Sequence, residues 1–431
     1  MKKGWLALLA LGLITAASTT VFALDVKFSG EFYAAGLYLD KTTLNKSTWT
    51  DSKNNVYTPG PSTAFYYQRL RVRTDFVVTS GLTLITRFDA LERVWGAARS
   101  TAGATPAADS AGTRAENENI AFDWAYINYK SPIGVFDVGY MNDGATGTIF
   151  GNSYAPAGRI KYSYISGPVT LNAAYTKVKE AGRTAVNPSV ATTDQDNDKY
   201  GAEIGYSWKQ GRAGFQVNYY DYANTRPPTD NYKRTYFVLT PYAIAKIGPV
   251  SLQTEINYLT GYDKSEVGAP DVKLENWSGW VEATADFGKL YFGGTIAYVS
   301  GNDPGTTDKN EGGILNGGRD WSPCLIMWNY ERTNWAGVLT GYDGAAQDTS
   351  MSNSWFFQAK AGLRPIDALD ITASVSYTNA DKKPSGYLKN DYGYELDLIA
   401  AYKITNNLTY MLGAGYLFTG DYYKGKSDAN S

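Results

Sequence analysis

The chain has 431 residues, a formal net charge of −2, 35 Tyr, 11 Trp, one Cys and no His. The near-neutral balance gives no reason to expect a nucleic-acid partner, and one Cys excludes an intrachain disulfide framework. The absence of His excludes imidazole acid–base chemistry and His-ligated metal or haem, so no enzyme, cofactor or metal site is expected.

Lys2 and Lys3 precede an apolar run from Trp5 to Ala17, and Val21-Phe22-Ala23 offers a peptidase site. Residues 1–23 therefore read as a secretory leader. The run is shorter than the roughly 18–20 residues of a spanning helix, and no later run approaches that length. The mean hydropathy of −0.34 does not argue for a soluble chain, because half of each strand in a membrane barrel is polar.

After the leader the pattern has a period of two. Near 198–209, Tyr200, Ala202, Ile204, Tyr206 and Trp208 share one face, and Lys199, Gly201, Glu203, Gly205 and Ser207 share the other. Such alternation specifies β-strand. Seventeen strands are predicted, near 25–39, 63–78, 82–93, 119–130, 134–141, 158–166, 168–179, 198–209 and 212–222, then 233–246, 249–261, 274–287, 289–300, 353–364, 369–379, 391–403 and 407–419. Tight turns such as Ser80-Gly81, Gly167-Pro168, Gly248-Pro249 and Asn406-Asn407 alternate with long polar connections such as 94–118, 142–157 and 301–352. Gly and Pro supply the special backbone angles of the tight class. The fold class expected is all-β: a transmembrane antiparallel β-barrel of about 16–18 strands, with short periplasmic turns and long extracellular loops. Residues 24–431 form that barrel.

An odd strand count leaves strand seventeen running the same way as strand one. Single-chain bacterial barrels normally have an even number, so a final, eighteenth strand is expected to be missing from this sequence. A miscount within 301–352 is the alternative, since Ser322 to Tyr330 is apolar enough to be a strand.

The leader and architecture resemble bacterial outer-membrane porins over the whole chain. The segment Tyr392 to Tyr416, with Tyr-Gly-Tyr-Glu-Leu-Asp-Leu-Ile-Ala-Ala-Tyr, Asn-Leu-Thr-Tyr and Gly-Ala-Gly-Tyr, is similar to the C-terminal hairpin of alginate-export barrels. So is Gln68-Arg69-Leu70-Arg71-Val72-Arg73. That resemblance implies an eighteen-stranded barrel carrying an anionic polysaccharide.

Arg69, Arg71 and Arg73 share one face of the second strand. On the lipid side each would cost about 2–4 kcal/mol near the midplane, so they are expected in the lumen. Arg87 and Arg93 on strand three, and Arg159 and Lys161 on strand six, follow the same logic and complete a basic wall. Glu255, Glu282, Asp286, Glu395 and Asp397 on later strands form an acidic sector opposite. Adjacent like charges are not expected all to pair locally. A transverse field would then bias ion passage; the alternative is that the charges pair across neighbouring strands. One of two long loops is expected to fold inward: 94–118, with Arg99, Arg114, Glu116 and Glu118, or 301–352, with its Pro323 to Trp328 patch. Cys324 reads as a lone thiol.

The function expected is passive diffusion of small hydrophilic or ionic solutes across the outer membrane of a Gram-negative bacterium. A specific channel for an acidic polysaccharide or other anion is one alternative. A scaffold sheathing a partner protein, or a surface adhesin, is another. The partners expected are outer-membrane lipid, small polar or anionic solutes and copies of the chain itself in a trimer.

Overall fold

A computed structural model describes residues 25–426, apart from 42, 45–47, 51–53, 55, 61, 97–119, 145–146, 181–194, 224–231 and 266–267. The leader and the four charged residues of the 94–118 loop (Arg99, Arg114, Glu116 and Glu118) lie outside the described residues.

One sheet of eighteen strands dominates. Seventeen are long, and the other is the two-residue strand Lys309–Asn310, which pairs in parallel with the long strand Val272–Asp286. The long strands are β1 (Asp25–Leu39), β2 (Thr63–Thr79), β3 (Leu82–Val94), β4 (Ile120–Ser131), β5 (Gly134–Asn142), β6 (Pro156–Ser166), β7 (Val169–Lys179), β8 (Asn197–Trp208), β9 (Gly211–Tyr222), β10 (Tyr232–Ile247), β11 (Val250–Ser265), β12 (Val272–Asp286), β13 (Leu290–Val299), β14 (Ser354–Ile366), β15 (Leu369–Ala380), β16 (Asp391–Thr405) and β17 (Leu408–Thr419). Each pairs antiparallel with its sequence neighbours. The segment Ser322 to Tyr330 is not a strand.

The faces are the reverse of a soluble protein. Phe28, Phe32, Ile204, Tyr206, Phe292, Ile296, Leu396 and Leu398 point outward and are exposed. Asp89, Asp123, Glu255, Asn257, Asn276 and Glu395 point inward and are buried. A polar interior and an apolar belt suit a wall of lipid, so this is the fold of a transmembrane β-barrel. No helix among the described residues is long and apolar enough to cross a membrane. Tight turns at one end rely on positive φ at Gly81 (+89°) and Gly248 (+59°), angles that an L side chain resists.

The sheet does not close on itself. β1 pairs with β2 and β17 pairs with β16, but among the described residues no ladder joins β17 to β1. Both edge strands are exposed on both faces over most of their length.

The packed core sits inside the barrel. Trp321, Cys324, Met327, Trp328 and Met351 from the 300–353 loop, with Phe150, meet Trp280, Ala297, Phe356 and Tyr392 of the inner wall. The loop therefore forms a plug.

Candidate functional site

The site is the lumen, built from inward rows of the strands and from two segments folded into it. Arg69, Arg71, Arg73 and Arg87 stand in the lumen rows of β2 and β3, and each meets a carboxylate. Arg71 grips Asp89 with two bonds of 2.6 Å. Arg87 grips Asp123 at 3.1 and 2.5 Å and stacks 3.8 Å from the centre of Trp124. Arg73 binds Asp75 at 2.7 Å. Arg69 lies 3.3 Å from Glu31, 3.8 Å from Glu92 and over the ring of Tyr33. The alternation Arg-x-Arg-x-Arg was legible in sequence. The partners of Arg69 and Arg71 were not, because Glu31 and Asp89 come from the two neighbouring strands. Contrary to the expectation that adjacent like charges could not all pair locally, every arginine of the row meets a carboxylate, Arg69 and Arg71 across strands and Arg73 through Asp75 two residues on in β2.

Arg93 lies elsewhere. A bulge at Leu91 (φ +50°) shifts parity by one, so Arg93 stands opposite Gln68 in the outward row, near the long-loop end. Sequence parity alone had put it with Arg87; an extra residue reverses every side chain beyond it.

The carboxylates of the later strands mostly act as anchors. Glu255, 2 % exposed, accepts the Thr148 backbone N–H at 2.9 Å, the Thr148 hydroxyl at 2.8 Å and the Asn257 amide at 3.0 Å. It thereby holds residues 147–152 inside the barrel. Gly147 (φ +74°) and Gly151 (φ +76°) bring that backbone close: a Cβ on either would stand 2.7 or 2.6 Å from a Glu255 oxygen. Phe150 then stacks on Trp280 at 5.8 Å. Sequence reading did not single out this loop. Its one signal was the cluster of Gly147, Phe150 and Gly151 within the long 142–157 connection.

Glu395 accepts the backbone N–H groups of Ile326 and Met327, both at 2.6 Å. Asp397 accepts that of Leu325 at 3.4 Å. These grip one side of the plug, where Trp328 also donates to Thr378 and Gln358 to the Pro323 carbonyl. The other side reaches across to the first strands. Helix α1 (Tyr330–Ala336), capped by Asn329, sets Glu331 2.9 Å from the Tyr33 hydroxyl and stacks Trp335 on Tyr67 at 4.5 Å. Of the two loops considered from sequence, 301–352 folds inward. Glu282 instead pairs with Lys360 at 3.3 Å, and Asp286 pairs with Arg364 at 2.9 Å at the short-turn end. The acidic residues are thus dispersed among anchors and pairs rather than gathered in one sector.

Two spaces remain. One, of about 400 Å³, lies between plug and wall and is lined by Arg69, Arg71, Tyr154, Arg319, Tyr330 and Glu331, among others. Tyr154 donates to Asp123; burial and the Asp123 carboxylate push its phenol well above the usual range, so it remains a donor. The other, of about 640 Å³, lies beside the inward loop against β6 to β11. Four cations line it, Arg159, Lys161, Lys199 and Arg212, against one lining carboxylate, Glu203. Arg159 and Lys199 share Asp143 from the loop, each at 3.0 Å. Arg212 donates to the Gly147 carbonyl at 2.9 Å. Among the described residues neither Arg212 nor Lys161 has a carboxylate partner. Lys161 and Arg159 were singled out in sequence; Lys199 and Arg212 were not, because each stands alone on its strand.

No protein-family model matches the chain, and no curated protein matches it; the likeness to alginate-export barrels thus finds no family match. Solved structures similar in outline are outer-membrane proteins. OpdK of Pseudomonas aeruginosa, solved with vanillate, aligns at 12% identity and a TM-score of 0.49 over 91% of this chain and 94% of its own. OccK8 (OprE) of the same organism aligns at 12% and 0.49 over 92% and 96%. An anion-selective porin from Comamonas acidovorans aligns at 10% and 0.42 over 83% and 89%. At these scores none of them bears on what this chain carries, and the barrel is established by its own ladders.

Proposed function

We propose that the protein is an outer-membrane channel for small anionic solutes, which pass on the side of the lumen bounded by β6 to β11 and the 143–155 loop. The observation that carries this reading is the 640 Å³ space in which Lys161 and Arg212 have no carboxylate partner among the described residues. Unpaired cations in a lumen walled by lipid hold a positive potential that draws anions in and repels cations. The paired arginines of β2 and β3 contribute less, because Asp89, Asp123 and Asp75 cancel most of their charge at longer range. The plug and inward loop narrow the passage, which favours small solutes over a polymer chain. The smaller 400 Å³ space sets Arg69, Arg71 and Arg319 against Asp320 and Glu331, so it adds little net attraction for anions.

The test is the reversal potential of the protein, purified from its outer membrane, in a planar bilayer under a salt gradient. Anion preference is expected. Lys161→Glu with Arg212→Glu should move the reversal potential toward that of a cation-selective pore. Unchanged selectivity in that double variant, with intact conductance, would sink the assignment.

A further inference from the structure

The 400 Å³ space between plug and wall collects charges of both signs from distant parts of the chain. Arg69 and Arg71 come from β2, and Arg319, Asp320 and Glu331 come from the plug. The two wall arginines are already answered. Arg71 spends Nε and Nη2 on Asp89, and Arg69 lies beside Glu31 and Glu92. Two plug charges are unanswered. Arg319 lies 5.2 Å from the centre of the Tyr330 ring and has no carboxylate partner among the described residues. Glu331 accepts the Tyr33 hydroxyl at 2.9 Å and the Trp335 indole N–H at 3.0 Å, both on Oε1. Its Oε2 has no hydrogen-bond or cationic partner among the described residues.

We infer that this space binds a small zwitterion, an amino acid whose carboxylate meets Arg319 and whose ammonium meets Glu331. The balance of charge disfavours simpler occupants. An anion would satisfy Arg319 and be repelled by Glu331 and Asp320. A cation would satisfy Glu331 and be repelled by three guanidinium groups. A neutral solute would strip water from both charges and give neither an ionic partner, which is costly. A dipolar ion answers both, and the same opposed charges reject its singly charged analogues.

The fold holds the two charges in place separately. The Arg319 backbone N–H donates to the Ser153 hydroxyl at 3.1 Å, and Asp320 accepts the Tyr154 backbone N–H at 3.3 Å. That end of the plug is therefore fixed to the inward loop. Glu331 stands in the first turn of α1 and is fixed to β1 through Tyr33. No ion pair joins Arg319 to Glu331 among the described residues, so neither has to be freed before a ligand binds, and such preorganisation favours affinity. The acceptors also select the kind of ammonium. A primary ammonium brings three donors, and the Glu331 and Asp320 carboxylates and the Ser322 hydroxyl line the same space. A quaternary ammonium would leave them unmet.

The test is calorimetric binding to the intact, detergent-solubilised protein. The probes are L-alanine and 4-aminobutyrate, which set ammonium and carboxylate at two separations. Butyrate and butylamine are the singly charged controls. At least one zwitterion is expected to bind about tenfold or more tightly than either control. Arg319→Gln and Glu331→Gln should each weaken that binding by about tenfold or more. Glutamine at 331 keeps an acceptor for Tyr33 and Trp335, and an unchanged rate of Cys324 labelling checks that the plug stays seated. If labelling quickens in Glu331→Gln, Arg319→Gln decides alone, since the Arg319 side chain holds no other element in place. Three results would overturn the inference: butyrate binding as tightly as both zwitterions, no binding of either zwitterion at about 10 mM, or binding indifferent to the variants. Each leaves the anion-channel reading standing, since that depends on Lys161 and Arg212.

Discussion

Two jobs recur among the carboxylates inside this barrel. Asp89 and Asp123 neutralise arginines, whereas Glu255 and Glu395 accept backbone amides of folded-in loops. The first kind makes the arginine row costly to cut. Arg71→Met leaves Asp89 charged and buried, and removal of one partner of a buried pair costs about 3–5 kcal/mol. Adding Asp89→Leu should return most of that loss. Urea titration of the refolded barrel checks it; equal losses in single and double variants would refute it. Cys324 gives a residue-scale pH test. Burial, with Glu395 next, pushes its thiol well above the ordinary value. It should therefore resist maleimide at pH values where free thiols, with pKa near 8.5, already react. Its labelling rate should rise sharply only when the plug is released.

The strands were readable because each carries its own period of two, and the seventeen expected segments overlap β1 to β17. The plug was readable only as an apolar patch in a polar loop. Ser322 to Tyr330 fits a strand by composition, yet it turns inside the lumen, since Glu395 takes two adjacent N–H groups that a ladder would otherwise use. Glu395→Ala should thus loosen the plug. A hydrogen bond contributes about 0.5–1.5 kcal/mol net, so losing two favours the released loop by roughly 1–3 kcal/mol. Larger or noisier conductance steps and faster Cys324 labelling are the expected readouts. Glu255→Ala should act in the same way on the 143–155 loop, widening the 640 Å³ space and weakening selectivity. An unaltered conductance in both variants would show that neither loop limits the pore.

At the scale of the whole molecule, selectivity is a screened field. The Debye length falls from about 10 Å at 0.1 M salt to about 3 Å at 1 M, so anion preference should fade across that range while the conductance steps persist. A preference independent of salt would point to close-range binding at the arginines rather than a field. The sequence by itself determined the seventeen long strands, the outward belt and the inward direction of Arg69, Arg71, Arg73, Arg87, Arg159 and Lys161, because side-chain alternation is a local property of the backbone; the two-residue strand Lys309–Asn310 is too short to show a period. Arg93 is the instructive exception: one bulge residue reversed it. Only the tertiary structure decided which charges are free. Pairing depends on what the sheet brings together: Arg87 with Asp123 across strands, Asp143 between Arg159 and Lys199, Glu255 with a loop 107 residues away. Contacts between positions far apart in the chain leave no period in it to read.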